Sequence, residues 1–153
     1  SMDTAGIYAH ESDRLGRYVQ FGYASERLLS VSFPETPDGD ASDEHPLLDR
    51  IGRYLEGEPD DFEDVAVALT LPTDQRSVLD SLRGVGYGEN TNVAALARLT
   101  PDLNDDDDDD LRAVREALAA NPAPLVVGDH RVRDGPSAAP PEVVQQLRAL
   151  EGL

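Results

Sequence analysis

One stretch of the sequence indicates how the chain folds: Asn121-Pro122-Ala123-Pro124-Leu125-Val126-Val127-Gly128-Asp129-His130-Arg131-Val132. Its prolines end a helical pattern that covers about residues 111–120. The apolar residues 125–127 predict a short strand. That strand leads directly into the ionisable residues Asp129, His130 and Arg131. Asp129 and His130 are the first candidates for a functional site, whereas Arg131 is interpreted as a structural ion-pair residue.

Upstream, the pattern changes character near Pro72. Before it, alternating side chains predict strands at 7–10, 17–23, 27–33 and 65–69, and a helix runs from His45-Pro46 to Gly57. After it, helical spacing predicts a helix capped by Thr73 or Asp74 and further helices that begin near Asn92, at about Leu111 and at about Pro141. The prediction is an α+β fold, with an antiparallel sheet lobe over 1–71 and a helical lobe over 72–153.

The charge pattern is strongly acidic. The formal net charge is -18, and all 13 basic residues are arginines. In molar salt the Debye length falls to roughly 3 Å, so mutual repulsion among acidic side chains becomes tolerable. The composition predicts a halophilic, cytoplasmic protein; an acidic mesophilic protein or a partly disordered chain is the alternative.

Several chemistries are excluded or disfavoured. The chain contains no cysteine, so disulfides, thiolate metal sites and cysteine nucleophiles are ruled out. His10, His45 and His130 are scattered and the aspartates lack calcium-loop spacing, so we expect no metal and no cofactor. No run approaches the roughly 20 apolar residues of a membrane helix, and no secretory signal is evident, so we expect no membrane partner.

Five motifs occur in one order along the chain. They are Gly86-Tyr87-Gly88-Glu89, Arg112-Ala113-Val114, Asn121-Pro122-Ala123-Pro124, Asp129-His130-Arg131-Val132 and Glu151-Gly152. In this order and spacing the chain resembles the O6-alkylguanine DNA alkyltransferases. The resemblance covers nearly the whole chain and implies a ribonuclease-H-like sheet lobe followed by a winged-helix or helix-turn-helix lobe. Such a lobe binds the DNA minor groove and extrudes the damaged base, in whose place an arginine enters the stack.

The resemblance assigns roles to four residues. Asp129 stands where the family has its alkyl-accepting cysteine. His130 and Glu151 occupy the places of a histidine and a glutamate, linked through water, that assist deprotonation of the thiol, and Asn121 is a further remnant of that site. A carboxylate is a much weaker nucleophile toward alkyl carbon than a thiolate. The expectation is therefore that the chain is not an enzyme.

The same resemblance nominates DNA-binding residues. Arg112 matches the intercalating arginine; its alternative role is a pair with the neighbouring aspartates. Asn92 is a candidate phosphate contact or simply an exposed residue at a helix start. Arg115 is a third candidate, although it replaces a small residue that allows close approach to the groove. Val93 replaces a tyrosine that assists base extrusion.

Two features weigh against DNA binding. The Asp105–Asp110 run precedes the helix predicted over about residues 111–120, which the resemblance makes the DNA-recognition helix. Negative charge there opposes the phosphate neutralisation on which DNA affinity rests. The alternative is that the run is only a solvated loop. The 133–141 loop is shorter than the family's and lacks its Gly-rich, Tyr- or Ser-containing motif.

The leading hypothesis is a monomeric protein of DNA repair. It would bind double-stranded DNA, recognise O6-alkylguanine without removing the alkyl group, and pass the lesion to other repair proteins. One alternative is a degenerate domain that has lost DNA binding and serves protein interaction or structure. Another is a slow enzyme that uses Asp129 as the alkyl acceptor.

Overall fold

A computed structural model describes residues 5–153 and has the predicted α+β architecture. Residues 1–4 lie outside this range. They belong to the predicted sheet lobe, and the expectation of no secretory signal falls on them in part. The elements, in chain order, are strands β1 (Gly6–Ser12), β2 (Arg17–Ala24) and β3 (Arg27–Ser32), helices α1 (Pro46–Leu55), α2 (Thr73–Leu82), α3 (Val93–Leu99) and α4 (Asp108–Ala119), a 3-10 helix (Asp129–Arg131) and helix α5 (Pro141–Glu151).

The sheet is the predicted antiparallel meander, with strand order β1-β2-β3. On β2, alternate side chains Val19, Phe21 and Tyr23 are buried, as expected for a sheet with one covered face. A two-residue turn joins β2 to β3, and both of its residues, Ser25 and Glu26, have positive φ. That conformation matches the right-handed twist of the two strands.

Helix α1 covers the sheet. Its N-terminus is capped by His45, whose Nδ1 accepts a hydrogen bond from the Leu47 amide at 3.0 Å. Five apolar or aromatic side chains on one face are buried: Leu47, Leu48, Ile51, Tyr54 and Leu55. The predicted stop also holds, because Gly57 takes φ +111° just after the last turn.

Helices α3 and α4 pack against each other and against α2, and the acidic turn connects them. Helix α3 starts as predicted after Asn92, whose side chain accepts from the Ala95 amide at 2.8 Å. The predicted cap of α2 is wrong: the helix begins at Thr73, directly after Pro72, and no side chain caps it. Helix α4 begins three residues early, at Asp108.

Two predicted strands are also wrong. Residues 65–69 form only a single parallel bridge, Leu28 to Val67, because just two backbone hydrogen bonds join them to β3. The apolar residues 125–127 form a buried turn in which Leu125 has φ +80°. The Asn121 side chain satisfies the turn's backbone, since it donates to the Val127 carbonyl and accepts from the Ala123 amide.

The boundary between residues 71 and 72 stays a prediction. A single cluster of buried apolar side chains contains residues from both sides of it, Tyr54 and Leu147 among them. Within residues 5–153, no helix is long and apolar enough to cross a membrane.

The start of α4 gives a stability prediction. The Asp107 carboxylate accepts from the amides of Asp109 and Asp110, at 2.8 and 3.3 Å. We expect Asp107→Ala to lower the free energy of unfolding by about 1 kcal/mol, the typical worth of an N-cap. Urea denaturation at a fixed KCl concentration measures this. Asp106→Ala is the matched control, because it removes the same charge at the adjacent position. An equal effect of the two substitutions would exclude a capping role for Asp107.

Candidate functional site

The site is organised around Glu151, the last residue of α5, whose side chain is fully buried. Its Oε1 accepts from Arg131 Nε and from the Gly88 amide, both at 2.9 Å. Its Oε2 lies 2.6 Å from His130 Nε2 and 3.1 Å from Arg131 Nη2, and it also accepts from the Tyr54 hydroxyl. One carboxylate therefore joins α1, the 86–89 turn, the 3-10 helix and α5.

The electrostatics of this network favour an ionised glutamate. Burial alone would raise the pKa of Glu151, but hydrogen bonds from His130 and Arg131 outweigh it and lower the pKa below its usual range. Burial, together with the Glu151 charge, raises the pKa of Tyr54, which keeps the phenol protonated as a donor.

The contact between His130 and Glu151 is direct, which corrects the expected link through water. Because Glu151 is an acceptor, His130 Nε2 is the donating nitrogen. His130 Nδ1 is buried and has no hydrogen-bond partner within residues 5–153.

Asp129 is the second buried carboxylate, with only 1% of its surface exposed. Its Oδ1 accepts from the Ser137 hydroxyl at 2.5 Å. Its Oδ2 accepts from the Ala138 amide and from Asn121 Nδ2, both at 3.0 Å. Burial raises the pKa of Asp129, and the three hydrogen bonds oppose that rise. The carboxylate is thus enclosed by donors rather than presented to solvent.

The structure brings the four predicted remnants of the family site together. Asn121 contacts Asp129, Asp129 precedes His130 in the 3-10 helix, and His130 contacts Glu151. Arg131, interpreted from the sequence as a structural ion-pair residue, is paired with Glu151 and also donates to the Val85 carbonyl at 3.0 Å.

Sequence reasoning missed two members of the site. Tyr54 fits the helical spacing of core residues, and that pattern does not reveal that its hydroxyl meets Glu151. Ser137 lies in the short loop that lacks the family's serine-containing motif in sequence, yet it contacts Asp129 directly. The tripeptide Gly135-Pro136-Ser137 is the one signal that points to a turn carrying a hydroxyl there.

The predicted DNA-binding residues lie elsewhere. Arg112 and Arg115 are exposed on α4. Arg112 pairs with Asp109 at 2.9 Å, which is its alternative role, whereas Arg115 forms no ion pair within residues 5–153. The Asn92 amide oxygen caps α3, and Val93 is buried with its backbone amide donating to Asp134 at 2.8 Å.

The aspartate run is a structured segment rather than only a solvated loop. Asp105 pairs with Arg98 at 2.7 Å, and Asp107 caps α4. Asp108, Asp109 and Asp110 form the first turn of the helix, where negative charge is favoured by the helix dipole. Asp110 also accepts from the Asn104 amide at 2.9 Å. Within residues 5–153, no cluster of three or more potential ligands suits a metal ion.

Comparison with known proteins identifies the fold. No protein-family model matches the chain. The methylated-DNA–protein-cysteine methyltransferase of Methanopyrus kandleri is 33% identical over 91 residues, which cover 58% of this chain and 62% of that relative. The match thus spans less than two thirds of the relative's length.

Solved structures match nearly the whole chain. The O6-methylguanine methyltransferase of Mycobacterium tuberculosis superimposes with a TM-score of 0.72 at 21% identity, covering 96% of this chain and 92% of that one. OGT of the same organism in complex with DNA gives 0.70 at 23% identity, with coverages of 96% and 91%. The O6-methylguanine-DNA methyltransferase of Pyrococcus kodakaraensis gives 0.67 at 19% identity, with coverages of 97% and 100%.

The chain therefore has the fold of the O6-methylguanine methyltransferases. The resemblance predicted from the motifs is confirmed: part of this chain, which contains no cysteine, is similar in sequence to a methylated-DNA–protein-cysteine methyltransferase, and the chain has the fold of the O6-methylguanine methyltransferases.

The Glu151 network gives a second stability prediction. We expect Glu151→Gln to destabilise the fold by about 3–5 kcal/mol, because it leaves the buried Arg131 guanidinium without its countercharge. Tyr54→Phe removes one neutral donor from the same carboxylate and is expected to cost about 2 kcal/mol, the typical worth of a hydrogen bond to a charged group. Urea denaturation at pH 7 compares them. Equal losses would contradict a network held by the ion pair.

The two buried carboxylates are expected to respond to pH in opposite directions. The Asp129 pKa is raised above 3.8, so its contribution to stability grows as pH falls through the raised pKa toward 3.8. The Glu151 pKa is lowered below 4.5, so its contribution is lost as pH falls below 4.5.

The measurement is the urea midpoint between neutral pH and about pH 3, the range in which both carboxylates titrate in the unfolded chain. Relative to Asp129→Asn, the wild type should gain stability on acidification; relative to Glu151→Gln, it should lose stability. Parallel pH profiles for the wild type and either variant would contradict the shift assigned to that residue.

Proposed function

We propose that this chain is an alkyltransferase-like protein of DNA repair that binds double-stranded DNA and recognises O6-alkylguanine without removing the alkyl group. The observation that carries the proposal is the buried carboxylate of Asp129, at the position that the resemblance assigns to the acceptor cysteine, in a chain with no cysteine.

The surroundings of Asp129 support a role without alkyl transfer. Three donors, from Ser137, Ala138 and Asn121, already occupy its oxygens. An oxygen that attacks an alkyl carbon would have to give up these hydrogen bonds, so they make the carboxylate a poorer nucleophile. Burial also leaves no exposed oxygen for in-line attack on an alkyl carbon. These contacts weigh against the slow enzyme that would use Asp129 as an ester-forming nucleophile.

DNA binding is supported by the fold and by the position of two arginines. A solved structure with the same fold is that of OGT in complex with DNA. Arg112 and Arg115 are exposed on α4, one helical turn apart, so that both guanidinium groups are accessible to a duplex. In this proposal the chain acts as a monomer in the cytoplasm, Arg112 fills the gap left by an extruded base, and the bound lesion is passed to other repair proteins.

The alternative is a degenerate domain that has lost DNA binding and serves a protein-interaction or structural role. The observation that favours it is the acidic start of α4, where Asp109 neutralises Arg112 and Asp106 and Asp108 remain exposed. Phosphate neutralisation supplies much of the affinity for DNA, so carboxylates at this position oppose it.

A gel shift in molar KCl, with duplexes that contain guanine or O6-methylguanine, distinguishes the two functions. We expect the wild type to bind and to prefer the lesion. Arg112→Ala is expected to weaken binding to the lesion duplex about tenfold or more, the order expected for an arginine that contacts bases. Arg27→Ala is the matched control, because Arg27 is equally charged and exposed but lies on β3. No shift with either duplex would support the alternative.

Removal of one negative charge at the start of α4 tests the same surface. Asp109→Asn frees Arg112 from its ion pair and should strengthen DNA binding more than Asp108→Asn does. Both positions lie in the first turn of α4 and are exposed, but no arginine pairs with Asp108 within residues 5–153. The measurement is the dissociation constant at several KCl concentrations. Identical effects of the two variants would mean that only net charge matters, not the pair with Arg112.

A further inference from the structure

The segment of residues 133–140 connects the 3-10 helix to α5 and passes directly over Asp129. Its two ends have anchors of their own. Near the start, Asp134 accepts from the Val93 amide at 2.8 Å, and at the end the Ala139 side chain is buried. Gly135 also lies close to Leu118, where a Cβ would come within 2.6 Å of the leucine side chain. The ends are therefore fixed independently of residue 129.

The middle of the segment depends on Asp129. Within residues 5–153, the hydrogen bonds that Ser137 and Ala138 make to the rest of the fold both go to this carboxylate, from the Ser137 hydroxyl at 2.5 Å and the Ala138 amide at 3.0 Å. The Ser137 oxygen also accepts from the Ala139 amide at 3.0 Å, which makes a local turn. Ser137 and Ala138 are themselves partly or fully exposed, so little burial holds them in place.

The carboxylate links this segment to a second element. Its Oδ2 also accepts from Asn121 Nδ2, and the same Asn121 amide group donates to the Val127 carbonyl at 2.9 Å. Asp129 thus ties the segment to the buried turn of residues 121–127. A thiol has a single weak donor and acceptor atom and cannot accept at two oxygens in this way. An aspartate at this position therefore makes contacts that a cysteine does not.

We propose that Asp129 is a positioning residue that fastens the middle of the segment 133–140 over the site, so that the carboxylate sets how readily the site opens. The titratable and charged groups near Asp129 are His130, beside it in the chain, and Glu151 and Arg131 beyond His130. The inference deepens the proposed function, since an extruded base that approached residue 129 would have to displace the segment. The fastening itself is a property of the protein without DNA.

Amide hydrogen exchange of the full-length protein, followed by NMR at fixed pH and KCl without DNA, measures the fastening. We expect the Ala138 and Ala139 amides to exchange about tenfold faster or more in Ser137→Ala and Asp129→Asn, the effect of losing one charge-assisted hydrogen bond. The amide of Val93, which is held by Asp134, should not change. Glu142→Gln, a change of an exposed carboxylate at the start of α5, is the matched control and should leave all of these rates at their wild-type values.

Ser137→Ala removes a partly exposed hydroxyl and keeps Asp129, so it tests the inference even if Asp129→Asn does not fold. Unchanged exchange at Ala138 in Ser137→Ala overturns the fastening; Ala139 is not diagnostic in this variant, because its amide loses its own acceptor, the Ser137 oxygen. Equal acceleration across Val93 and the segment also overturns it, because the effect would then be global loss of stability.

A second experiment, which measures the affinity of Ser137→Ala for the two duplexes, separates this inference from the proposed function. If both hold, Ser137→Ala binds the O6-methylguanine duplex more tightly than the wild type does, with unchanged affinity for the unmodified duplex. Accelerated exchange without any DNA binding supports the fastening and counts against the proposed function.

Discussion

The Glu151 carboxylate is the interaction on which the rest of the structure depends. It accepts hydrogen bonds from Tyr54 in α1, from the Gly88 amide and from His130 and Arg131 in the 3-10 helix, and these elements are far apart in the sequence. A buried carboxylate is unfavourable unless its charge is balanced and its lone pairs are filled, and here Arg131 supplies the charge. The network fixes the 3-10 helix, and through it the backbone position of Asp129. The geometry of the candidate site is therefore set by the buried ion pair between Arg131 and Glu151.

The two buried carboxylates have different surroundings and different consequences. Glu151 faces a guanidinium and stays ionised, whereas Asp129 is held by neutral donors and has a raised pKa. Alkyl transfer to a cysteine requires a polarisable thiolate that can reach the alkyl carbon. Asp129 offers oxygens that are already hydrogen-bonded and enclosed. The contacts from Ser137 and Ala138 give this carboxylate a structural task.

Much of the fold was predictable because local patterns were consistent with it. Alternation on β2, the Asn92 cap and Gly57 after α1 each act within a few residues, so their physical effects are visible in the sequence. The failures have separate causes. Residues 125–127 are apolar because a turn is buried, not because a strand is paired, and no periodicity distinguishes these cases. The contact between Tyr54 and Glu151 spans 97 positions, and spacing alone does not reveal it. Motif order pointed to Asn121, Asp129, His130 and Glu151 as one group; Ser137 belonged to a loop whose path only the structure shows.

A carboxylate has replaced sulfur, we propose, in a site that recognises an alkylated base and leaves it intact. The most direct test incubates the protein in molar KCl with a duplex whose O6-methylguanine carries a radiolabelled methyl group, and then separates protein, DNA and small molecules. We expect a retarded protein–DNA complex from which all of the label is recovered on guanine, with the protein mass unchanged. Label on Asp129, seen as one added methylene on the peptide that contains it, or label released as methanol, would contradict the proposal.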